Sequence, residues 1–236
     1  MRTIFFSLFL LLSITLLVGL GTWQVQRLGW KTDIISRLEA ARATPQKLRF
    51  DDLQALSGEE LPLAYGSVTG RLLSDKEILV GPKAGEGQNQ GQIGYSLITP
   101  LEIPGGTILV NRGWVHERFK EEKNRKNLRA KGSITFTGLV RKPDWNRFTS
   151  NNSPENDLWF KIDPYQIAKA KGLKNVSALV LYAESSSRKF EGQNLNPPGW
   201  LPRNEHRQYA IFWFTMAAIF SGFFGFFIWR QKKKTS

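Results

Sequence analysis

Two long uncharged stretches, one at each end of the chain, constrain this sequence more than anything between them. Residues 209–229 contain no charged side chain. At a rise of ~1.5 Å per residue that run reaches ~31 Å, which matches a hydrocarbon core of ~30 Å. Trp229-Arg230-Gln231-Lys232-Lys233-Lys234 closes it with an interfacial aromatic and a basic cluster. Residues 4–23 form a second uncharged stretch of spanning length. A cleaved signal peptide is the competing reading, and Gly19-Leu20-Gly21 offers small residues for cleavage. The stretch exceeds the ~7–15 apolar residues of a signal core and has a single arginine ahead of it, so an uncleaved helix is favoured.

Between the helices there is room for one core-bearing domain. All 20 acidic residues lie between Lys31 and Glu205, together with 26 of the 33 Lys and Arg. The remaining bases are Arg2, Arg27, Arg207, Arg230, Lys232, Lys233 and Lys234, so much of the +13 charge is membrane flank. A nucleic-acid-binding domain would concentrate its bases on the folded part, and no nucleic-acid partner is expected. The C-terminal basic cluster favours the cytoplasm, which places both termini there and the middle across the membrane. Arg27 and Lys31 on the far side of the first helix weigh against this. No arginine-rich amphipathic presequence precedes the first helix, which favours a bacterial inner membrane with a periplasmic central domain.

The expected organisation is a first transmembrane helix at 4–23, a juxtamembrane amphipathic helix at 24–45 ended by Pro45, and a β-rich domain at 46–190. A linker at 191–205 leads to a second transmembrane helix at 206–229 and a basic tail at 230–236. Ile34, Ile35 and Leu38 recur at helical spacing among charges. Alternation predicts strands at 63–72, 77–80, 95–101, 107–110, 134–140, 158–162 and 179–183. The glycines of 81–94 predict a loop, and Pro104-Gly105-Gly106 a turn. A charged surface helix or loop is expected at 116–131 and irregular chain at 143–157. Pro164 opens a short helix to Lys171. Three prolines in 192–202 predict a linker returning to the membrane. The fold class is a membrane protein: two transmembrane α-helices flanking a mostly antiparallel β (α+β) extramembrane domain of barrel or sandwich type. Ala218-x-x-x-Gly222, Ser221-x-x-x-Gly225 and the weaker Thr15-x-x-x-Gly19 are faces on which another helix could pack, most simply the other helix of this chain. Ordinary membrane-helix composition explains them equally well.

No phosphate loop, nucleophile elbow or paired-histidine metal motif is present. The chain has no cysteine, two histidines and two methionines, so a metal-only site would be thin. His116 ends a strand and reads as an exposed polar residue. Asp51-Asp52 and Glu59-Glu60 read as solvated charge, and Asp144, Asp157 and Asp163 have no identifiable partner. His206 stands at the mouth of the second helix. At helical spacing His206, Tyr209, Ala210 and Trp213 share one face. One reading is an interfacial histidine bonded to headgroups or backbone. The other is a neutral imidazole ligating a porphyrin iron, with Tyr209 and Trp213 against the ring and Arg203 or Arg207 on its propionates.

Four segments in order resemble the motifs of one family. These are Leu20-Gly21-Thr22-Trp23-Gln24-Val25-Gln26-Arg27-Leu28, Val110-Asn111-Arg112-Gly113-Trp114-Val115, Pro154-Glu155-Asn156-Asp157-Leu158-Trp159-Phe160-Lys161-Ile162-Asp163, and Asn204-Glu205-His206-Arg207-Gln208-Tyr209-Ala210-Ile211-Phe212-Trp213-Phe214. The chain resembles the surfeit locus family of cytochrome c oxidase assembly proteins over residues 19–214. His116 follows the second motif where the family often has proline. The resemblance implies a non-enzymatic factor helping to insert haem A into oxidase subunit I, with haem A synthase as a further candidate partner. It implies His206 as the iron ligand, with Trp23, Tyr209, Trp213 and Arg207 as candidate cofactor-binding residues. The alternative is a protein-only membrane chaperone that holds oxidase subunits without haem. An enzyme in the β domain is a third reading, disfavoured by the lack of any catalytic constellation.

Overall fold

A computed structural model describes residues 2–85, 89–197 and 199–235. Two compact units emerge, one made of Met1–Arg37 and Leu201–Ser236, the other of Leu38–Trp200.

The first unit is a helix pair. Helix α1 runs unbroken over Arg2–Ala43. The expected juxtamembrane helix is therefore its continuation. No glycine or proline interrupts it before Pro45, apart from Gly19, Gly21 and Gly29, which helices in lipid tolerate. Helix α4 covers His206–Thr235. Both are long and apolar enough to cross a membrane. The two run antiparallel. The Phe6 and Phe227 rings meet at 4.8 Å, the Gln24 and His206 side chains at 2.7 Å, and Lys31 Nζ donates to the Arg203 carbonyl.

The covered positions recur every 3.5 residues on both helices. On α1 they include Leu10, Leu17, Gly21, Gln24 and Leu28; on α4 they include His206, Ala210, Trp213, Ala217, Phe220, Phe224 and Phe227, with Met216 beside Ala217. That is the spacing of a left-handed helix seam. The Phe214 ring packs where α1 lacks a side chain: a Cβ on Gly21 would lie 2.8 Å from it. Cβ atoms on Gly19, Gly222 and Gly225 would meet nothing within 4 Å. The expectation that those small-residue faces join the two helices is therefore corrected. The seam falls one position away, on Ala217 rather than Ala218, because it follows the buried 3.5-residue stripe.

The second unit is a closed β structure. Its strands are β1 (Gln46–Lys47), β2 (Leu63–Leu72), β3 (Ile78–Ala84), β4 (Ile93–Ile103), β5 (Gly106–His116), β6 (Ser133–Arg141), β7 (Val176–Ser186) and β8 (Gln193–Asn194). Neighbours run β1-β2-β6-β7-β5-β4-β3, and β2 also pairs with β4 through Arg71↔Glu102 and Leu72↔Leu101. That last pairing closes β2, β6, β7, β5 and β4 into a ring, a barrel of the kind alternation suggested. The β5–β7 and β1–β2 pairs are parallel, the rest antiparallel.

Strands β4, β5 and β7 are buried on both faces. Leu97, Ile108, Val110, Leu179 and Leu181 point into the main core, together with Phe50 and Leu53 of α2 (Phe50–Ser57). Their neighbours Ile98, Leu109 and Val180 point the other way, into a second core with Trp159, Ile162 and Ile167 of α3 (Pro164–Lys171). This accounts for the continuous apolar runs of these strands.

Three expectations need correction. The glycine-rich loop of 81–94 is shorter, because β3 continues to Ala84 and β4 begins at Ile93; residues 86–88 of that loop lie outside the described residues. Residues 158–162 form only isolated bridges, not a strand. Asn152 holds them instead, its Oδ1 accepting from Phe160 and Lys161 and its Nδ2 donating to the Lys161 carbonyl. The linker at 192–202 begins inside the fold. There β8 pairs with β5, and Asn196 Nδ2 bonds the carbonyls of Asn111 and Ala183.

Candidate functional site

Each of the four motif segments has a definite place. The central one lies on β5. Arg112 is fully buried; its Nη2 donates to the Leu128 carbonyl at 2.7 Å and to Gln193 Oε1 at 2.8 Å, and its guanidinium sits 4.3 Å from the Phe190 ring centroid. Burial holds its pKa down to about 10, with Glu77 opposing. Asn111 Oδ1 accepts from the Gly113 amide, and Gly113 has φ 89°, a left-handed conformation that glycine adopts without strain. A Cβ there would lie 2.0 Å from the Asn194 carbonyl. These residues fasten the 190–196 segment to the barrel.

The third motif is equally structural. Trp159 is buried and donates Nε1 to Asp157, which also pairs with Lys171; Asp163 caps α3 through Tyr165 and Gln166. Asp144 pairs with Arg141 at the surface. All three aspartates thus have structural partners that their spacing does not reveal. His116 is half-buried, and its Nδ1 accepts from the Arg118 amide at 3.0 Å.

The β domain also holds a cavity of about 520 Å³ lined by residues that include Asn111, Trp114, Arg141, Tyr182, Glu184 and Trp200. Arg141 stacks between Tyr182 at 4.2 Å and Trp200 at 4.7 Å, and Glu184 faces Arg42 at 3.4 Å. Of its charged lining residues, Arg141 pairs with Asp144 and Glu184 with Arg42, and no histidine is among the described residues that line it.

The opening and closing motifs meet in the helix pair. His206 begins α4, and its Nδ1 lies 2.7 Å from Oε1 of Gln24 on α1. The Trp23 ring stands edge-on to the imidazole, with centroids 6.3 Å apart and planes at 82°. Among the described residues Nε2 of His206 has no hydrogen-bond partner. Of the expected neighbours, Trp23 is beside His206 and Trp213 lies on the same α4 stripe, packed on Phe212 at 5.0 Å. Tyr209 is half exposed and Arg207 exposed, both off the seam. Arg203 pairs with Glu205. The residue that sequence reasoning passed over is Gln24, 8% exposed in a helix whose neighbours Trp23 and Val25 are about half exposed. Its signal was its type: a glutamine on the seam stripe of a membrane-length helix.

Comparison with known proteins then fixes the family. The family model described as the SURF1 family matches residues 11–218, which includes all four motifs. The chain belongs to the SURF1 family. It is 32% identical to a SURF1-like protein of Caenorhabditis elegans over 222 residues, covering 85% of this chain and 67% of the relative. It is 31% identical to Surfeit locus protein 1 of Mus musculus over 242 residues, covering 97% of this chain and 76% of the relative. Against the Homo sapiens Surfeit locus protein 1 the identity is 30% over 229 residues, with 91% and 73% covered.

Proposed function

We propose that this protein is a non-enzymatic assembly factor for a haem-copper oxidase, which holds haem A through His206 and passes it to subunit I. The observation that carries this reading is the Nε2 of His206, without a hydrogen-bond partner among the described residues, on an imidazole held at its other nitrogen and standing beside Trp23 at the head of a membrane-length helix. Among the described residues no group of three or more His, Cys, Asp or Glu side chains forms a metal cage. A single imidazole therefore suits an iron whose other ligands come with it, as a porphyrin's do. Haem A, when bound, would supply an iron able to take an imidazole ligand. The residues that would hold it are His206 through its lone pair, Trp23 through its ring edge, Tyr209 and Phe212 through exposed apolar surface, and Arg207 as a cation for a propionate. A single imidazole ligand would suit a transient carrier.

In this reading the chain sits in a bacterial inner membrane with both termini cytoplasmic, the β domain periplasmic, and haem A synthase as the source of cargo. The test is the haem A content of oxidase purified from cells that lack this chain and are complemented with parent or His206→Ala. The expected result is subunit I depleted of haem A in the variant at equal amounts of the factor. Full haem A occupancy with His206→Ala would remove haem delivery from the function.

A second reading is favoured by a separate observation. Gly19, Gly222 and Gly225 lie away from the α1–α4 contact with open space around them, as a protein-only chaperone gripping a subunit helix would require. It predicts that Gly222→Leu weakens association with the oxidase while His206→Ala leaves it intact.

A further inference from the structure

The pairing of His206 with Gln24 decides which nitrogen of the imidazole is available. A glutamine Oε1 only accepts hydrogen bonds, and it lies 2.7 Å from Nδ1. In that geometry Nδ1 carries the proton and Nε2 keeps its lone pair. The reversed amide would place the NH₂ of Gln24 against Nδ1, move the proton to Nε2 and close the ligand position. Gln24 is 8% exposed, on the covered stripe of α1 that also holds Gly21 and Leu28, and a buried amide is tolerated only with a partner. We propose that Gln24 is the positioning residue for His206: its side-chain oxygen fixes the Nδ1–H tautomer and aims Nε2 at the iron. The iron rests on the haem reading above; the tautomer does not. The logic is that of metal-bound histidines, which donate their second N–H to an outer acceptor that sets ring orientation and raises ligand basicity.

The chain contains its own reference. Of its two histidines, His116 accepts a backbone N–H at Nδ1, from Arg118 at 3.0 Å, so its neutral ring carries the proton on Nε2. The experiment is ¹⁵N NMR of the full-length, haem-free protein in detergent with ¹⁵N-labelled histidine, at alkaline pH. His116→Gln assigns the signals. The expected result is opposite tautomers: protonated Nδ1 in His206, protonated Nε2 in His116. Gln24→Leu moves the His206 proton off Nδ1, Gln24→Glu keeps it there, and an unchanged His116 signal shows that the β domain is intact. Protonated Nε2 in parent His206, or an unchanged His206 in Gln24→Leu, overturns the assignment.

Titration of the same proteins with haemin separates the two claims. Gln24→Leu is expected to weaken binding by on the order of 10–100-fold and Gln24→Glu to restore it. A parent with protonated Nδ1 that binds no haemin would refute the haem reading and with it the iron-directed role, leaving the tautomer assignment standing. Equal haemin affinity in parent and Gln24→Leu would overturn the positioning role alone.

Discussion

Replacing Arg112 by methionine tests whether the central motif is scaffold or site. The guanidinium makes two short bonds to acceptors, the Leu128 carbonyl at 2.7 Å and Gln193 Oε1 at 2.8 Å, and a longer one to Thr99 Oγ1 at 3.4 Å. Methionine fills similar volume but leaves the two strong acceptors unpaired, at ~1–3 kcal/mol each. Against that stands relief of the cost of burying the cation, which is what lowers its pKa to about 10. The balance is a loss of ~2–4 kcal/mol, or a fall in Tm on the order of 10 °C for a domain of this size. Arg112→Ala adds a cavity and should cost more, ~3–5 kcal/mol. Lysine keeps the charge but not the fork, and should fall between parent and alanine. The assay is thermal unfolding of the full chain in detergent, followed by tryptophan emission, with hydrogen exchange at 190–196 as the local readout. An Arg112→Met protein within ~0.5 kcal/mol of the parent and with unchanged exchange at 190–196 would refute the argument.

Other expectations follow from single contacts. Gly113→Ala places a Cβ 2.0 Å from the Asn194 carbonyl at φ 89° and should destabilise the domain by about 2–3 kcal/mol, read by the same unfolding assay. Because the chain has no cysteine, a Phe6→Cys/Phe227→Cys pair reports the helix seam by oxidative cross-linking. Gly21→Leu should abolish that cross-link and Gly222→Leu should leave it unchanged. Burial pushes the Tyr182 phenol up to about 12, with Arg141 opposing and Asp144 reinforcing. Since the folded value exceeds the unfolded one near 10, this stabilisation is complete below pH ~10 and is lost as pH rises to about 12. Alkaline unfolding of Tyr182→Phe should lack that component.

Much of the barrel was legible because alternation and turn chemistry are local. The hairpin of β4 and β5 around Pro104 and Gly105, the full length of β2, and α3 with proline in its first turn all follow from neighbouring residues. What could not be read depends on distant partners. The closure of β2 on β4 needs Leu72 beside Leu101, and β8 forms in a proline-rich stretch only because β5 offers it an edge. Helix α2 was missed because eight residues give too little periodicity.

The site divides in the same way. His206 stands out in sequence as a lone imidazole at a helix mouth, and Trp23 as the interfacial aromatic of the other helix. Tyr209 was grouped with His206 because a 3.6-residue face is broad, whereas the observed seam is a narrower 3.5-residue stripe that leaves it out. Gln24 acquires its meaning from a partner on the other helix, at the far end of the sequence, and no window on either segment contains both.

The most direct measurement of the central claim is an absorption spectrum. The parent and His206→Ala proteins are purified in detergent from cells that make haem A and recorded oxidised and reduced. A reduced haem A band in the parent that is absent from a folded His206→Ala protein is the predicted result. Equal haem in both, or none in a parent taken from cells shown to contain haem A, would contradict it.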